Sequence, residues 1–342
     1  MTRRLRIDDL AAIAAPEQPA LAPDGTACVY VLRTVDADED RTARSLWIVD
    51  AASGEPRQLT RGAADVAPAW SPDGKSVAFL RASDGPAQLW LLPVEGGEPE
   101  QLTTLTLGAG APVWSPDGTR IAFGAATDRA DGADGPIVTD RVDYQADGSG
   151  YLRDIRKHLH VLDLASRDCR QVTRGDWHAG DPAWSPDGST LAFAAATGDD
   201  ADLRYRAPVH TLDLEDSGAE PRVVALADGV GGAVRWSDDG TWLLVAGYPG
   251  EPTGHARLWR IPLDGGTPTE LAGSLDRNVM TGGPGYPGGL PQFTSAGAVA
   301  FCVRDRGVTD LYVVDVSGGA PRRLAHGVDG LSVAGTRAAS SW

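Results

Sequence analysis

Pro68-Ala69-Trp70-Ser71-Pro72-Asp73-Gly74 recurs almost letter for letter at residues 112–118 and 182–188. Its Ser-Pro-Asp-Gly end suits a tight turn, because proline fixes φ, aspartate can bond its own backbone and glycine accepts a positive φ. The run that follows each copy, such as Val77-Ala78-Phe79, alternates with the period of a half-buried strand. Each copy therefore predicts a hairpin that joins two strands.

Weaker copies of this stretch extend the series in both directions. They lie at residues 19–25, 236–240, 291–297 and 331–335. A second half-repeat follows the complete copies and consists of a strand like Leu46-Trp47-Ile48-Val49-Asp50 and a strand like Arg57-Gln58-Leu59-Thr60. Each unit therefore holds four strands.

Four antiparallel strands per unit, repeated at this spacing, are typical of a β-propeller. The hairpin glycines fall at Gly25, Gly74, Gly118, Gly188, Gly240, Gly297 and Gly335. They predict an all-β propeller with six complete four-stranded blades and the start of a seventh. An all-helical solenoid is excluded because 42 glycines and 24 prolines would interrupt its helices. A β-sandwich would not repeat one turn motif so regularly.

The domain prediction is one propeller, residues 19–342, after an N-terminal helical extension, residues 1–18. Within the extension, residues 7–15 suit a short helix that is capped by Asp8 or Asp9 and ends before Pro16. The predicted blades cover residues 19–60, 68–103, 112–173, 182–226, 234–272, 291–325 and, in part, 328–342.

Composition limits the partners of the chain. A formal net charge of −16 argues against nucleic acid, which is bound by clustered lysine and arginine. The sequence shows no signal peptide and no transmembrane stretch, so we expect a cytoplasmic protein that binds no membrane. The cysteines Cys28, Cys169 and Cys302 lie singly in different repeats, and we expect buried thiols.

No residue of the chain is assigned to catalysis, to a metal or to a cofactor. The Gly-x-Ser-x-Gly motif of an α/β-hydrolase is missing. The six histidines do not cluster, and His160 occupies a position that is tryptophan in other repeats, which favours a packing role. The acidic run at residues 36–40 lacks the pattern of a calcium loop, and the glycine-rich loop at residues 278–289 lacks the lysine of a phosphate cradle.

The third repeat contains an insertion of about 26 residues relative to its neighbour. Residues 128–135 form a polar loop that suggests disorder or a weak cation site. Residues 141–153 mix arginines, tyrosines and a glycine-rich turn, as in a recognition loop on a rigid scaffold. We predict that this insert binds substrate through Arg141, Tyr144, Tyr151 and Arg153. Arginine suits this role because its planar fork can engage a carboxylate with two bonds. A decorated hairpin edge is the alternative.

The whole repeat is similar to the one shared by periplasmic TolB proteins and the prolyl oligopeptidase family. The N-terminal helix and the insert, from Arg141-Val142-Asp143-Tyr144 to Gly150-Tyr151, resemble the acylaminoacyl-peptidase branch of that family. The resemblance implies a C-terminal α/β-hydrolase domain as partner, a Ser-Asp-His triad in that domain and short peptides as substrates. No triad residue can be assigned to a position in this chain.

The resemblance implies a non-catalytic, substrate-gating propeller of a serine peptidase that acts on aminoacyl or acylaminoacyl peptides. Because the sequence ends at Trp342, within the first strands of a seventh blade, we expect the catalytic domain to be absent from it. The main alternative is a stand-alone TolB-like scaffold for protein–protein interaction. A sialidase is a weaker one, since Ser237-Asp238-Asp239-Gly240-Thr241-Trp242 lacks the residue that an aspartate box carries between aspartate and glycine.

Overall fold

The Ser-Pro-Asp-Gly stretches form the predicted turns. In the second blade, the hydroxyl of Ser71 donates to Asp73 Oδ1 (2.6 Å) and accepts from the backbone N–H of Ser76 (3.0 Å). Gly74 takes a φ of 70°, in the left-handed region that favours glycine. Glycines at the same place in the next two turns have φ values of 71° and 72°. The turn motif therefore fixes the first hairpin of blades 2 to 4.

The fold was obtained as a computed structural model, which describes residues 3–4, 6–62, 64–127, 136, 138–146, 150–152, 155–283 and 286–341. These residues form a propeller of six antiparallel blades with almost no helix, so the predicted all-β architecture is confirmed. In each blade the first strand lies innermost and the fourth outermost.

The strands follow in chain order. Blade 1 contains β1 (Ala15–Leu21), β2 (Ala27–Asp36), β3 (Arg41–Asp50) and β4 (Pro56–Gln58). Blade 2 contains β5 (Asp65–Trp70), β6 (Ser76–Arg81), β7 (Gln88–Pro93) and β8 (Glu100–Gln101). Blade 3 contains β9 (Val113–Trp114), β10 (Arg120–Ala126), the separate hairpin β11 (Gln145–Ala146) and β12 (Gly150–Tyr151), then β13 (Lys157–Asp163) and β14 (Cys169–Gln171).

The second half of the ring repeats this order. Blade 4 contains β15 (Ala183–Trp184), β16 (Thr190–Ala194), β17 (Val209–Asp213) and β18 (Arg222–Ala225). Blade 5 contains β19 (Val230–Trp236), β20 (Trp242–Tyr248), β21 (Arg257–Pro262) and β22 (Thr269–Glu270). Blade 6 contains β23 (Asn278–Gly283), β24 (Tyr286–Gly288), β25 (Gln292–Thr294), β26 (Ala298–Asp305), β27 (Val308–Asp315) and β28 (Arg322–Ala325). A last hairpin, β29 (Ser332–Ala334) and β30 (Arg337–Ala339), begins the seventh repeat.

The N-terminal segment differs from its prediction. A 3-10 helix covers only Ile7–Ala12, and β1 already begins at Ala15, inside the extension expected over residues 1–18. Asp9 does not stand at the N-cap position. It lies three residues into the helix, and its carboxylate accepts from the backbone N–H of Arg6 (2.7 Å), as in a capping box.

The glycine-rich segment at residues 278–289 is also more ordered than a loop. Its first part, β23, pairs with residues 302–304 of β26, whereas β25 pairs with residues 298–300 of the same strand. The innermost strand of blade 6 is therefore split into two pieces. The β23–β24 hairpin leaves the sheet between them, and Gly282 (φ 77°) supplies a backbone conformation that other residues rarely adopt.

Hydrophobic clusters fill the spaces between successive blades, and the repeat tryptophans lie in them. Each indole N–H donates to the backbone carbonyl of the residue that precedes the equivalent position in the previous blade. These bonds join Trp70 to Ala20 (2.8 Å), Trp114 to Ala69 (3.0 Å), Trp184 to Val113 (2.9 Å) and Trp236 to Ala183 (3.1 Å). The repeat tryptophans therefore join neighbouring blades both by apolar packing and by hydrogen bonds.

The Gln-Leu-Thr part of the repeat closes the outer side of the blades. In blade 2, the hydroxyl of buried Thr103 accepts from the backbone N–H of Leu89 (2.9 Å), and Gln101 Nε2 donates to the Thr103 carbonyl (2.8 Å). Thr60 and Thr173 accept the equivalent bonds in blades 1 and 3. We call this arrangement the threonine latch.

The last hairpin joins the two ends of the ring. The Ser332 hydroxyl accepts from the backbone N–H of Leu21 in β1 (2.9 Å), and Arg337 Nη1 donates to the Gly25 carbonyl (2.6 Å). On its other side, Gln292 of blade 6 bonds the backbone of Leu331 and Val333. Blade 1 thus contacts blade 6 through this hairpin.

Alternating connections give the propeller two different faces. The Ser-Pro-Asp-Gly turns lie together on one face, which we call the turn face. Neighbouring turns are close to each other there, because a Cβ added to Gly118 would lie 3.4 Å from Pro72 of the preceding turn. The opposite face carries the connections between second and third strands and those between blades, and we call it the loop face. In the described part of the chain, no helix has the length and apolar character needed to cross a membrane.

The cysteines and the strand histidines have structural surroundings. Cys302 is buried, and burial raises the pKa of its thiol to about 12, whereas Cys28 and Cys169 are only partly buried. The expectation of a buried thiol therefore holds fully for Cys302 alone. His160 is buried and stacks on Phe123, with ring centroids 5.7 Å apart, which agrees with the packing role inferred from the sequence.

Candidate functional site on the loop face

The described residues of the third-repeat insert lie on the loop face, in the connection from β10 to β13. Its β11–β12 hairpin pairs Gln145 with Tyr151, and the backbone N–H of Leu152 donates to the Tyr144 carbonyl (2.9 Å). The predicted residues Tyr144 and Tyr151 come together here, because their rings stack with centroids 6.2 Å apart. Arg153, the fourth predicted residue, lies outside the described residues, as does the polar loop at residues 128–135.

Arg141 is held by two carboxylates of the chain itself. Its Nε donates to Asp143 Oδ1 (2.7 Å) and its Nη2 to Asp143 Oδ2 (2.9 Å), which is a two-bond pair. Its Nη1 donates to Asp176 Oδ2 (2.9 Å). These bonds hold the pKa of Asp143 below and the pKa of Arg141 above their ordinary values. Substrate binding by Arg141 stays a prediction, and the geometry shows a guanidinium that braces the insert.

The insert is also tied to blade 4. Asp176, in the connection between β14 and β15, accepts from Arg156 Nε (2.7 Å) as well as from Arg141. Asp202, in the connection between β16 and β17, accepts from the backbone N–H of Val142 (2.9 Å). The sequence did not point to these partners, because each comes from a different connection of the ring. The insert is therefore fixed to its neighbour at two places.

Most exposed apolar side chains of the described residues lie on the loop face. Fourteen large hydrophobic residues are exposed in the described ranges. Of these fourteen, only Val223 and Leu324, both in outermost strands, lie away from the loop face and the N-terminal segment beside it. The others are Ile7, Leu10, Ile13, Val35, Val138, Val142, Tyr144, Tyr151, Leu203, Tyr205, Tyr286 and Leu290. Single exposed apolar residues are common, but their concentration on one face is typical of an interaction surface.

Two cavities open on this face. The larger, of about 260 Å³, lies between blades 5 and 6 and is lined by Tyr248, Asn278, Met280 and Tyr286 among others. The smaller, of about 160 Å³, lies beside Asp200, Arg204 and Arg206 in the connection that also contacts the insert. Both cavities can admit a small side chain rather than a whole peptide.

An acid–imidazole pair, which the sequence analysis did not identify, lies at the end of blade 6. Buried Asp310 accepts from His326 Nδ1 (2.7 Å), Arg323 Nη1 (3.1 Å) and the backbone N–H of Gly327 (3.2 Å). Burial raises the pKa of this carboxyl, but the three donors outweigh burial and hold it below its usual value. Asp310 precedes Leu311 as Gln88 precedes Leu89, so the pair lies in blade 6 where the threonine latch lies in blade 2.

Comparison with known proteins agrees with this fold. Residues 9–145 match the family model described as PD40, TolB beta propeller domain. The chain is 29% identical over 207 residues to the uncharacterized peptidase YuxL of Bacillus subtilis, an alignment that covers 57% of the chain and 32% of the relative. The predicted resemblance to TolB-type propellers and to peptidases of this kind is therefore confirmed.

Solved structures show the same architecture. Pyrococcus horikoshii acylaminoacyl peptidase superposes with a TM-score of 0.75 at 18% identity, over 95% of this chain and 48% of that one. The propeller domain of the trilobed protease from Pyrococcus furiosus gives 0.65 at 17% identity, over 94% and 88% of the two chains. The chain thus spans about half of the first structure and about a third of the Bacillus relative.

Proposed function

We propose that this chain is the non-catalytic propeller of a serine peptidase and that its loop face docks an α/β-hydrolase domain. One observation carries the proposal: the exposed apolar side chains gather on the loop face of a propeller whose relative is a peptidase. A peptidase with this propeller as a cover would cleave short aminoacyl or acylaminoacyl peptides. We place the protein in the cytoplasm as part of the same proposal.

The braced insert supports a gating role. Asp143 and Asp176 hold Arg141, and Asp202 holds the backbone of Val142, so the Tyr144–Tyr151 stack stands on a fixed base. A rigid rim around the docked domain would admit short peptides and exclude folded chains. The insert would therefore limit substrate size through its shape, while Tyr144 and Tyr151 offer flat apolar surface to an extended peptide.

The proposal is tested by the binding of the 342-residue chain to the α/β-hydrolase domain of the complete protein, measured by calorimetry. Leu203, which is 70% exposed on the loop face, is replaced by aspartate. We expect Leu203→Asp to weaken docking at least about tenfold, because a charge in an apolar contact must lose its water. Leu324→Asp is the matched control, since Leu324 is exposed on an outermost strand.

If both substitutions weakened the binding of the hydrolase domain equally, or if neither weakened it, docking through the loop face would be contradicted. If the native chain bound no hydrolase domain but captured another protein through the same face, the stand-alone TolB-like scaffold would be the better account. Circular dichroism spectra of Leu203→Asp and Leu324→Asp show whether either variant is unfolded, so that a loss of docking can be distinguished from a loss of folding.

A further inference from the structure

Arg235 differs from the other arginines in the strands of the propeller. It lies on β19, the innermost strand of blade 5, directly before Trp236, and its side chain is partly accessible to solvent. Its backbone pairs with Leu244, but its side chain makes no hydrogen bond, ion pair or aromatic contact to the described residues. Burial lowers the pKa of its guanidinium below the ordinary value, and no carboxylate offsets this effect.

Other half-buried arginines have their charge compensated. Arg81 pairs with buried Asp65 (2.6 Å), Arg120 donates to the Gly188 carbonyl (2.8 Å), and the guanidinium of Arg260 lies 4.9 Å from the Trp242 ring centre. A charge that is partly removed from water and has no partner loses hydration without compensation, and a bound anion would restore that balance. Arg235 is therefore a candidate for a ligand-binding group.

The position of Arg235 places it beside the central axis. Innermost strands surround the channel of a propeller. Gln292 stands at the corresponding place in blade 6, before Phe293, and it reaches the next innermost strand by bonding Leu331 O (3.0 Å) and Val333 N (2.9 Å). A side chain at this place can therefore reach the backbone of the neighbouring inner segment. Arg235, although longer, forms no equivalent bond to a described residue.

The local pattern also changes at this point of the ring. In the first four blades the same place holds a small residue whose carbonyl accepts the indole N–H of the next blade. After blade 5 the indole is replaced by Phe293, which has no N–H to donate. Blade 5 thus combines a long cation with the loss of the usual bond between neighbouring inner strands.

We propose that Arg235 binds a carboxylate in the wall of the axial channel, such as the C-terminal carboxylate of a short peptide. The planar guanidinium matches two carboxylate oxygens. A dianion such as phosphate is disfavoured, because the site offers one cation within a chain of net charge −16. The site belongs to the propeller alone, so it does not depend on the docking of a hydrolase domain.

The test is a titration of the 15N-labelled chain with N-acetylglycine, followed through the Nε–Hε signal that Arg235→Gln removes. N-acetylglycinamide, which lacks the charge, and inorganic phosphate are titrated at equal ionic strength. In the native chain we expect a saturable shift of this signal with N-acetylglycine and with neither of the other two compounds. Signals of other residues report binding to Arg235→Gln, and they should give an affinity for N-acetylglycine at least about tenfold lower than that of the native chain. Arg57→Gln, at an exposed position of β4, should bind as the native chain does.

A second measurement separates loss of binding from loss of folding. Without ligand, Arg235→Gln should unfold at the same temperature as the native chain or higher, because it removes an uncompensated charge. A lower unfolding temperature would mean that Arg235 has a partner within the fold, and it would overturn the proposal. Equal N-acetylglycine affinity in Arg235→Gln, or tighter binding of phosphate or N-acetylglycinamide, would overturn it as well.

Discussion

Thr103 shows how one side chain closes a blade. Its hydroxyl accepts from the backbone N–H of Leu89 and donates to Gln88 Oε1 (2.8 Å), and it is 4% exposed. The same threonine recurs in blades 1 and 3, where it performs the first of these tasks. The Gln-Leu-Thr motif therefore recurs because it satisfies a buried backbone donor.

Replacing Thr103 by valine keeps the size of the side chain and removes the hydroxyl. Because the N–H of Leu89 is then buried without an acceptor, we expect the free energy of unfolding to fall by about 1–3 kcal/mol. Urea denaturation measures the change. Thr267→Val, at an exposed position, is the control and should leave the midpoint unchanged. A native midpoint for Thr103→Val would show that the hydroxyl does not support the blade.

At the residue scale, the sequence shows which side chains have the chemistry to bind a ligand, but it does not show which residues those side chains contact. The composition of the insert singled out Arg141, but its partner Asp176 lies 35 residues further along the chain, in another connection. Arg235 belongs to no motif that the sequence analysis identified, because what distinguishes it is that its side chain has no partner among the described residues. Pairing between connections depends on how blades are arranged in the ring, and local sequence does not encode that arrangement.

At the scale of elements, the tryptophan before each turn joins neighbouring blades by apolar packing and by one hydrogen bond. Trp114 is partly buried, so Trp114→Ala should lower the free energy of unfolding by about 3 kcal/mol, the lower end of the range for a buried aromatic side chain. Trp114→Phe keeps a six-membered aromatic ring but loses the five-membered part of the indole and the bond to the Ala69 carbonyl, so a smaller loss of about 1–2 kcal/mol is expected. Guanidinium denaturation compares the two, and an unchanged midpoint for Trp114→Ala would rule out the packing role.

Elements with a repeated turn were predicted well, and irregular ones were not. β1 contains Pro16 and Pro19, which read as a break in the sequence, yet an innermost strand has one unpaired edge that tolerates proline. The glycines of residues 278–289 likewise suggested a loop, although part of the segment pairs with β26. In both places pairing with a neighbouring strand overrides local preference.

The whole molecule has two unlike faces. The turn face is built from one repeated motif, whereas the loop face carries the insert, the two cavities and most of the exposed apolar side chains. The repeat predicts the ring and therefore the turn face. Connections on the loop face vary in length and composition without a period, so their apolar character becomes visible only when the ring gathers them.

The central claim is that this propeller serves a serine peptidase without carrying catalytic residues of its own. The most direct test is the hydrolysis of alanine and acetyl-alanine p-nitroanilides by the purified 342-residue chain and by the product of the complete reading frame. We expect no turnover by the chain alone, and turnover by the complete product that a serine-directed phosphonate abolishes. Phosphonate-sensitive turnover by the chain alone would contradict the account.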